Sequence, residues 1–210
     1  MKHLINWQSA VSLELTLSMN DNGKLSYTQN DSSATLSANA QQLVSAIDDN
    51  SVIVTVTAEN TKTTSSGDLM IGGAFMGNNI IGRGIDSSIE GMGSMVVTQQ
   101  EINPNVLGTM SEAHGTPGID VLHEITESYQ GAVLSTQNGA SSPRAGLPGS
   151  VYPSAHSSAV PQSGNVYERI YDVNGNELQK LPGNRYPSTT SADWYINGQN
   201  GNKVIIQTLP

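Results

Sequence analysis

The pentapeptide His123-Glu124-Ile125-Thr126-Glu127 carries the residue types and spacing of a metal-dependent hydrolase. On a helix, a histidine and a carboxylate four residues apart lie one turn apart on one face, so both reach a single metal ion. Glu124 points to a different side and is free to handle a proton. A bound zinc ion lowers the pKa of its water to about 7, and a neighbouring carboxylate takes the proton as that water attacks a carbonyl. The commoner arrangement has histidine where this chain has Glu127.

A catalytic zinc takes three protein ligands and keeps a fourth position open. The chain has four histidines, His3, His114, His123 and His156. His156 follows His123 by 33 residues (156 − 123), beyond a loop long enough to fold back. It completes a set of two histidines and one carboxylate: His123, Glu127 and His156. His114, just before the helix in Ser111-Glu112-Ala113-His114, is the alternative third ligand, and His3 reads as uninvolved. Glu124 is the candidate general base. An oxyanion donor is also needed, and Tyr152, Tyr167, Arg169 and Tyr171 all lie downstream. The plain alternative is that His-Glu-x-x-Glu arises freely on solvated helix faces, where Glu127 is an ordinary surface carboxylate.

The elements that must position these groups read as follows. Thr116 is placed to cap the helix and Pro117 suits its first position. Leu122, Ile125, Tyr129, Ala132 and Val133 form one apolar stripe. His123 and Glu127 lie roughly 100° to 140° from its centre, which predicts that they edge the core. Upstream, alternation over Val11–Met19 predicts a strand, Asn20-Asp21-Asn22-Gly23 a turn, and Lys24–Tyr27 a returning strand. Ser37 caps a predicted helix to about Asp49, and strands are expected at Ser51–Ala58 and Ser94–Thr98. The glycine-rich stretch 68–93 predicts only short, irregular strands. Downstream come a loop from 135 to about 152, a short helix begun by Pro153, a hairpin around Asn174-Gly175 and a strand over Lys203–Thr208. The expected class is α+β: a β-rich N-terminal portion, one metal-binding helix and a loop-rich C-terminal portion. A single domain over 1–210 is expected, with a possible subdivision into 1–100 and 101–210.

Only 13% of the 210 residues are charged, and the net charge is −9 without a Lys/Arg cluster. This argues against nucleic acid as a partner, since phosphate contacts need concentrated positive charge. The chain has no cysteine, so disulfides and thiolate zinc sites are excluded and ligands must be histidine or carboxylate. No apolar run approaches the roughly 18 residues of a membrane span, and the first residues lack a signal-peptide core. The Ser/Thr/Asn/Gly-rich composition suits a secreted, toxin or virion protein.

The stretch from Val96 to Tyr171 resembles the effector-type zinc peptidases of bacterial secreted effectors and of the C-terminal ends of Rhs-type, YD-repeat polymorphic toxins. The resemblance is carried by Val96-Val97 and Asn103-Pro104 ahead of Leu122-His123-Glu124, and by Arg144-Ala145-Gly146-Leu147-Pro148 after it. Leu13–Leu25, Ala46-Ile47-Asp48 and Val52-Ile53-Val54 are similar to segments upstream of such domains, and Tyr171–Asn176 resembles one YD-repeat turn. The resemblance implies a zincin-like α+β domain with zinc at His123, Glu124 as base, a protein or peptide substrate, and a secreted or delivered location; a virion-associated location goes with the non-catalytic alternative. The chain departs from the family in having Glu127 in place of the second histidine. Either His156 completes a permuted ligand set, or the site has decayed into a structural or binding module. A glycosidase built on Glu124 and Glu127 ranks lower, since carboxylates three residues apart on a helix do not straddle a glycosidic bond.

Overall fold

The computed structural model describes residues 8–82, 94–182 and 187–210. His3 and the part of the glycine-rich stretch from 83 to 93 lie outside them. Among the described residues the architecture is α+β: three sheets with helices packed against them.

The N-terminal hairpin pairs β1 (Leu15–Met19) with β2 (Leu25–Gln29). Asn20 Oδ1 accepts from the N–H groups of Asn22 and Lys24, which closes its turn. The predicted strand from Val11 is corrected to a later start. Residues 8–11 are helical, Val11 is buried, and Leu13 is 93% exposed. Gln8 drives the difference: its side chain bonds the Leu15 carbonyl and the Leu17 N–H, which fastens the helical turn across the start of β1. Helix α1 (Ala38–Asp48) begins where Ser37 accepts from the Ala40 N–H.

The central sheet has the order β3-β5-β4, formed by β3 (Val52–Ala58), β4 (Gly73–Ile81) and β5 (Met95–Ile102). β5 runs parallel to β3 and antiparallel to β4. In place of short irregular strands, residues 73–81 make one continuous strand with a register shift between Phe75 and Asn78. Gly77 sits at the shift with φ +90°, and the Ser142 carbonyl occupies the space a side chain would need.

Helix α2 (Pro104–Ala113) was not among the expected elements. Asn103 caps it by accepting from Asn105 and Val106, with proline at the first helical position. Helix α3 (Ile119–Asn138) carries the candidate residues. Thr116 does not cap it, contrary to expectation. The N-cap is Gly118 at φ +83°, where a turn closed by Ile119 N–H on the Thr116 carbonyl swings the chain into the helix. Pro117 therefore belongs to the turn. α3 also outruns its predicted end, stopping at Gly139 in the left-handed region. A short helix, α4 (Tyr152–Ser158), packs on it. The chain ends in a third sheet, four-stranded and antiparallel, of β6 (Tyr167–Tyr171), β7 (Glu177–Leu178), β8 (Ser191–Asn197) and β9 (Lys203–Leu209), in the order β7-β6-β8-β9.

α3 lies across the central sheet, facing the alternate buried residues Val96, Thr98, Gln100 and Ile102 of β5. The largest core joins Leu15, Leu17 and Leu43 to Leu107, Met110, Leu122, Ile125 and Ile196, so it draws on both halves of the chain. No helix among the described residues is long and apolar enough to cross a membrane.

Candidate metal centre

Three side chains from two helices converge at the end of a cleft. His156 Nδ1 of α4 lies 2.7 Å from Glu127 Oε2 and 3.1 Å from His123 Nε2, and these two α3 atoms are 3.4 Å apart. Together they form a group able to hold a metal ion. With metal–ligand distances of 2.0–2.2 Å, adjacent corners of a tetrahedron are about 3.3 Å apart, which the observed triangle approximates. His114, the alternative third ligand, is elsewhere. It ends α2, with Nδ1 2.9 Å from Ser163 Oγ and 3.1 Å from the Met110 carbonyl.

His123 and Glu127 are each only 2% exposed, so the expectation that they edge the core is corrected: they are inside it. The cause is a second cover over α3. α4 and residues 159–163 enclose the flank beside the apolar stripe, which also buries Asp120 and Thr126. Residues 159–163 are held by side chains of α3. Thr126 Oγ1 accepts from Val160 N–H, and Asp120 accepts from both the N–H and the hydroxyl of Ser163. The Val160 carbonyl then lies 2.6 Å from His123 Nδ1. With Nδ1–H donating there, neutral His123 presents the lone pair of Nε2 to the cluster, the outer-shell arrangement that orients metal-binding histidines.

Glu124 stands beside this triangle and takes no part in it. It is 5% exposed, and its Oε2 accepts from Gln100 Nε2 at 2.5 Å. A Cβ at Gly73 would fall in the space of this carboxyl group, so any larger residue there would push Glu124 from its present position. A cleft of about 250 Å³ opens from the cluster, walled by Gly73, Glu124, Glu127, Arg144, Tyr152 and His156. Arg144 forms an ion pair with Asp68 in the same wall, at 2.6 Å. The segment holding Arg144 is tied down by Ala145 N–H on the Phe75 carbonyl and by Ser142 against Asn78. Of the four oxyanion-donor candidates, Tyr152 lines the cleft, with its ring centroid 5.4 Å from that of His156. Tyr167, Arg169 and Tyr171 are on β6 and do not line it.

The electrostatics follow from burial and proximity. Burial, reinforced by the Glu127 charge, pushes Glu124 up to about 8. Burial also opposes ionisation of Glu127, yet hydrogen bonds from His123 and His156 outweigh it and hold Glu127 below the ordinary value. The bond to Glu127 raises His156. For His123, desolvation opposes the charged form, but Glu127 and Glu124 prevail and its pKa is also raised. Burial and the same two carboxylates lift Tyr152 to about 12, so it remains a hydrogen-bond donor at neutral pH.

These shifts set a pH dependence for the metal-free protein. His123, His156 and Glu124 all hold protons more tightly folded than unfolded, so their contribution to stability is lost as pH rises. The window opens at the ordinary 4.5 of Glu124 and runs through about 8. Glu127 acts oppositely, and its contribution is lost as pH falls below 4.5. Thermal melts of chelator-treated protein should therefore show falling stability between those limits. Added zinc competes with the protons, so the stabilisation it brings should grow with pH. A melting temperature of the metal-free protein that climbs steadily through the window would contradict these directions.

Gln100 and Val160 were absent from the sequence-based site. Gln100 left a signal, as a polar residue in phase with Val96, Thr98 and Ile102 on the buried face of β5. Val160 acts through its backbone, and no side-chain pattern announces it. No protein family model, curated protein or solved structure matches the chain.

Proposed function

We propose that this protein is a zinc-dependent peptidase of zincin-like α+β fold, with zinc held by His123, Glu127 and His156 and proton transfer by Glu124. One observation carries the reading: the three ligand atoms converge at 2.7–3.4 Å while the other nitrogen of His123 is committed to the Val160 carbonyl. Two imidazoles and one carboxylate suit zinc and are poor for magnesium or calcium, which take oxygen ligands. When bound, zinc supplies a Lewis-acidic dication that brings a water's pKa to about 7 and draws Glu124 toward its ionised form.

The chain's own groups divide the remaining work. Glu124, fixed between Gln100 and the Gly73 backbone, receives the proton of the attacking water and delivers it to the leaving amine. Tyr152, kept protonated, has its hydroxyl available to the developing oxyanion. Together with the resemblance over Val96–Tyr171, this supports a toxin or effector domain acting on a protein substrate.

The test is digestion of a peptide library by zinc-loaded protein, read by mass spectrometry. Cleavage at defined bonds, abolished by a chelator and restored by zinc, is expected. A zinc-loaded protein that cuts nothing would overturn the peptidase reading and leave a metal-binding structural module.

A further inference from the structure

Within the site just proposed, and resting on that reading, we infer that Gln100 is a positioning residue that divides the two oxygens of Glu127, leaving one for the metal, while it anchors Glu124. Its side-chain nitrogen has two hydrogens and meets both buried carboxylates: Glu124 Oε2 at 2.5 Å and Glu127 Oε1 at 3.3 Å. Glu127 Oε2 is the oxygen that faces the two imidazoles. The two oxygens of Glu127 thus have separate partners, one on β5 and one in the ligand triangle. A carboxylate held in this way binds a metal through one oxygen. With both oxygens on the metal, a further ligand atom would crowd the open corner that a hydrolytic site requires.

The cost is visible on Gln100 itself. The residue is 1% exposed, and its side-chain oxygen has no hydrogen-bond partner. Turning the amide over would aim that oxygen at the ionised Glu127 carboxylate, and the orientation that donates to both acids leaves the oxygen unpartnered. The register is fixed from the neighbouring turn: Thr98, two residues back on the same face of β5, has its hydroxyl 2.9 Å from Ser128 Oγ of α3. The strand therefore presents Gln100 to α3 at the level of Glu124 and Glu127, which makes a single amide the link between base and ligand.

The experiment replaces zinc by cobalt(II), whose visible absorption is intense in four-coordinate sites and weaker in five-coordinate ones, in the wild type and Gln100→Met. Affinity is read in the same titration. Gln100→Asn, which keeps an amide but withdraws it by one methylene, is the second variant, and circular dichroism establishes that each sample is folded. The wild type should show four-coordinate cobalt. Both variants should bind it about 10–100-fold more weakly, as expected for loss of an outer-shell partner, with the weaker five-coordinate absorption as Glu127 brings up its second oxygen. Unchanged affinity and spectrum in folded variants would overturn the inference while leaving the metal site intact. Weaker binding with an unchanged four-coordinate spectrum would also overturn it, since that is what a merely structural role gives. A wild type that binds no cobalt or zinc would overturn the parent reading together with this one.

Discussion

Glu124→Gln is expected to keep its zinc and to lose peptidase activity by a factor of about 10²–10⁴, the contribution of a positioned acid–base group. The separation of effects follows from the geometry. The ligand triangle consists of His123 Nε2, Glu127 Oε2 and His156 Nδ1, and Glu124 is outside it. The substituted amide has the same shape and still offers an oxygen to Gln100 Nε2, so the β5–α3 contact persists. Burial that pushes the native carboxyl up to about 8 also means that a neutral group costs nothing extra there. The variant should therefore melt no lower than wild type at neutral pH. Steady-state kinetics on a cleaved peptide check this: kcat should fall with KM little changed. Activity near the wild-type level would assign the proton transfer to another group, and loss of zinc would make Glu124 a ligand.

His156→Ala is expected to weaken zinc binding by orders of magnitude, while His114→Ala has at most the roughly tenfold effect of an outer-shell partner. From sequence His156, after the helix, is the preferred third ligand and His114, before it, the runner-up. In the folded chain the competition is gone. His156 Nδ1 is within 3.1 Å of both α3 ligand atoms, whereas His114 Nδ1 is occupied with Ser163 Oγ and the Met110 carbonyl. His114 reaches the site only indirectly, through Ser163 and Asp120, which hold the segment carrying Val160. Competition titration against a chelator of known affinity, run on both variants, separates these roles. Equal losses in the two would contradict the assignment.

The parts of this site legible in the sequence are those set by local spacing. His123 and Glu127 share a helix face because they are four residues apart, and Ser37 caps α1 because a hydroxyl ahead of a helix satisfies a free N–H. What stayed hidden depends on contacts far along the chain. The apolar stripe of α3 defines one buried face correctly, but the cover supplied by α4 and residues 159–163 buries the adjacent polar flank, and no periodicity within α3 registers a cover that arrives 30 residues later. The start of α3 was misplaced because a Thr-Pro pair suits both a capped helix and a turn, and here Gly118 makes it a turn. α2 and β8 were missed for a different reason, since their local signals were present: Asn103-Pro104 ahead of Val106, Leu107 and Met110, and the alternation Ala192, Trp194, Ile196. Gln100 lies between these cases. Its burial follows from the alternation of β5, but its two carboxylate partners exist only once α3 crosses the strand.

If His123, Glu127 and His156 hold zinc, the purified protein carries it, and inductively coupled plasma mass spectrometry of the wild type and His123→Ala reads the metal content. About one zinc per chain is expected in the wild type, as for a single three-ligand site, and none above background in the variant. A wild-type protein that carries no metal, even after zinc is supplied and the excess removed, would contradict the assignment of zinc to these residues.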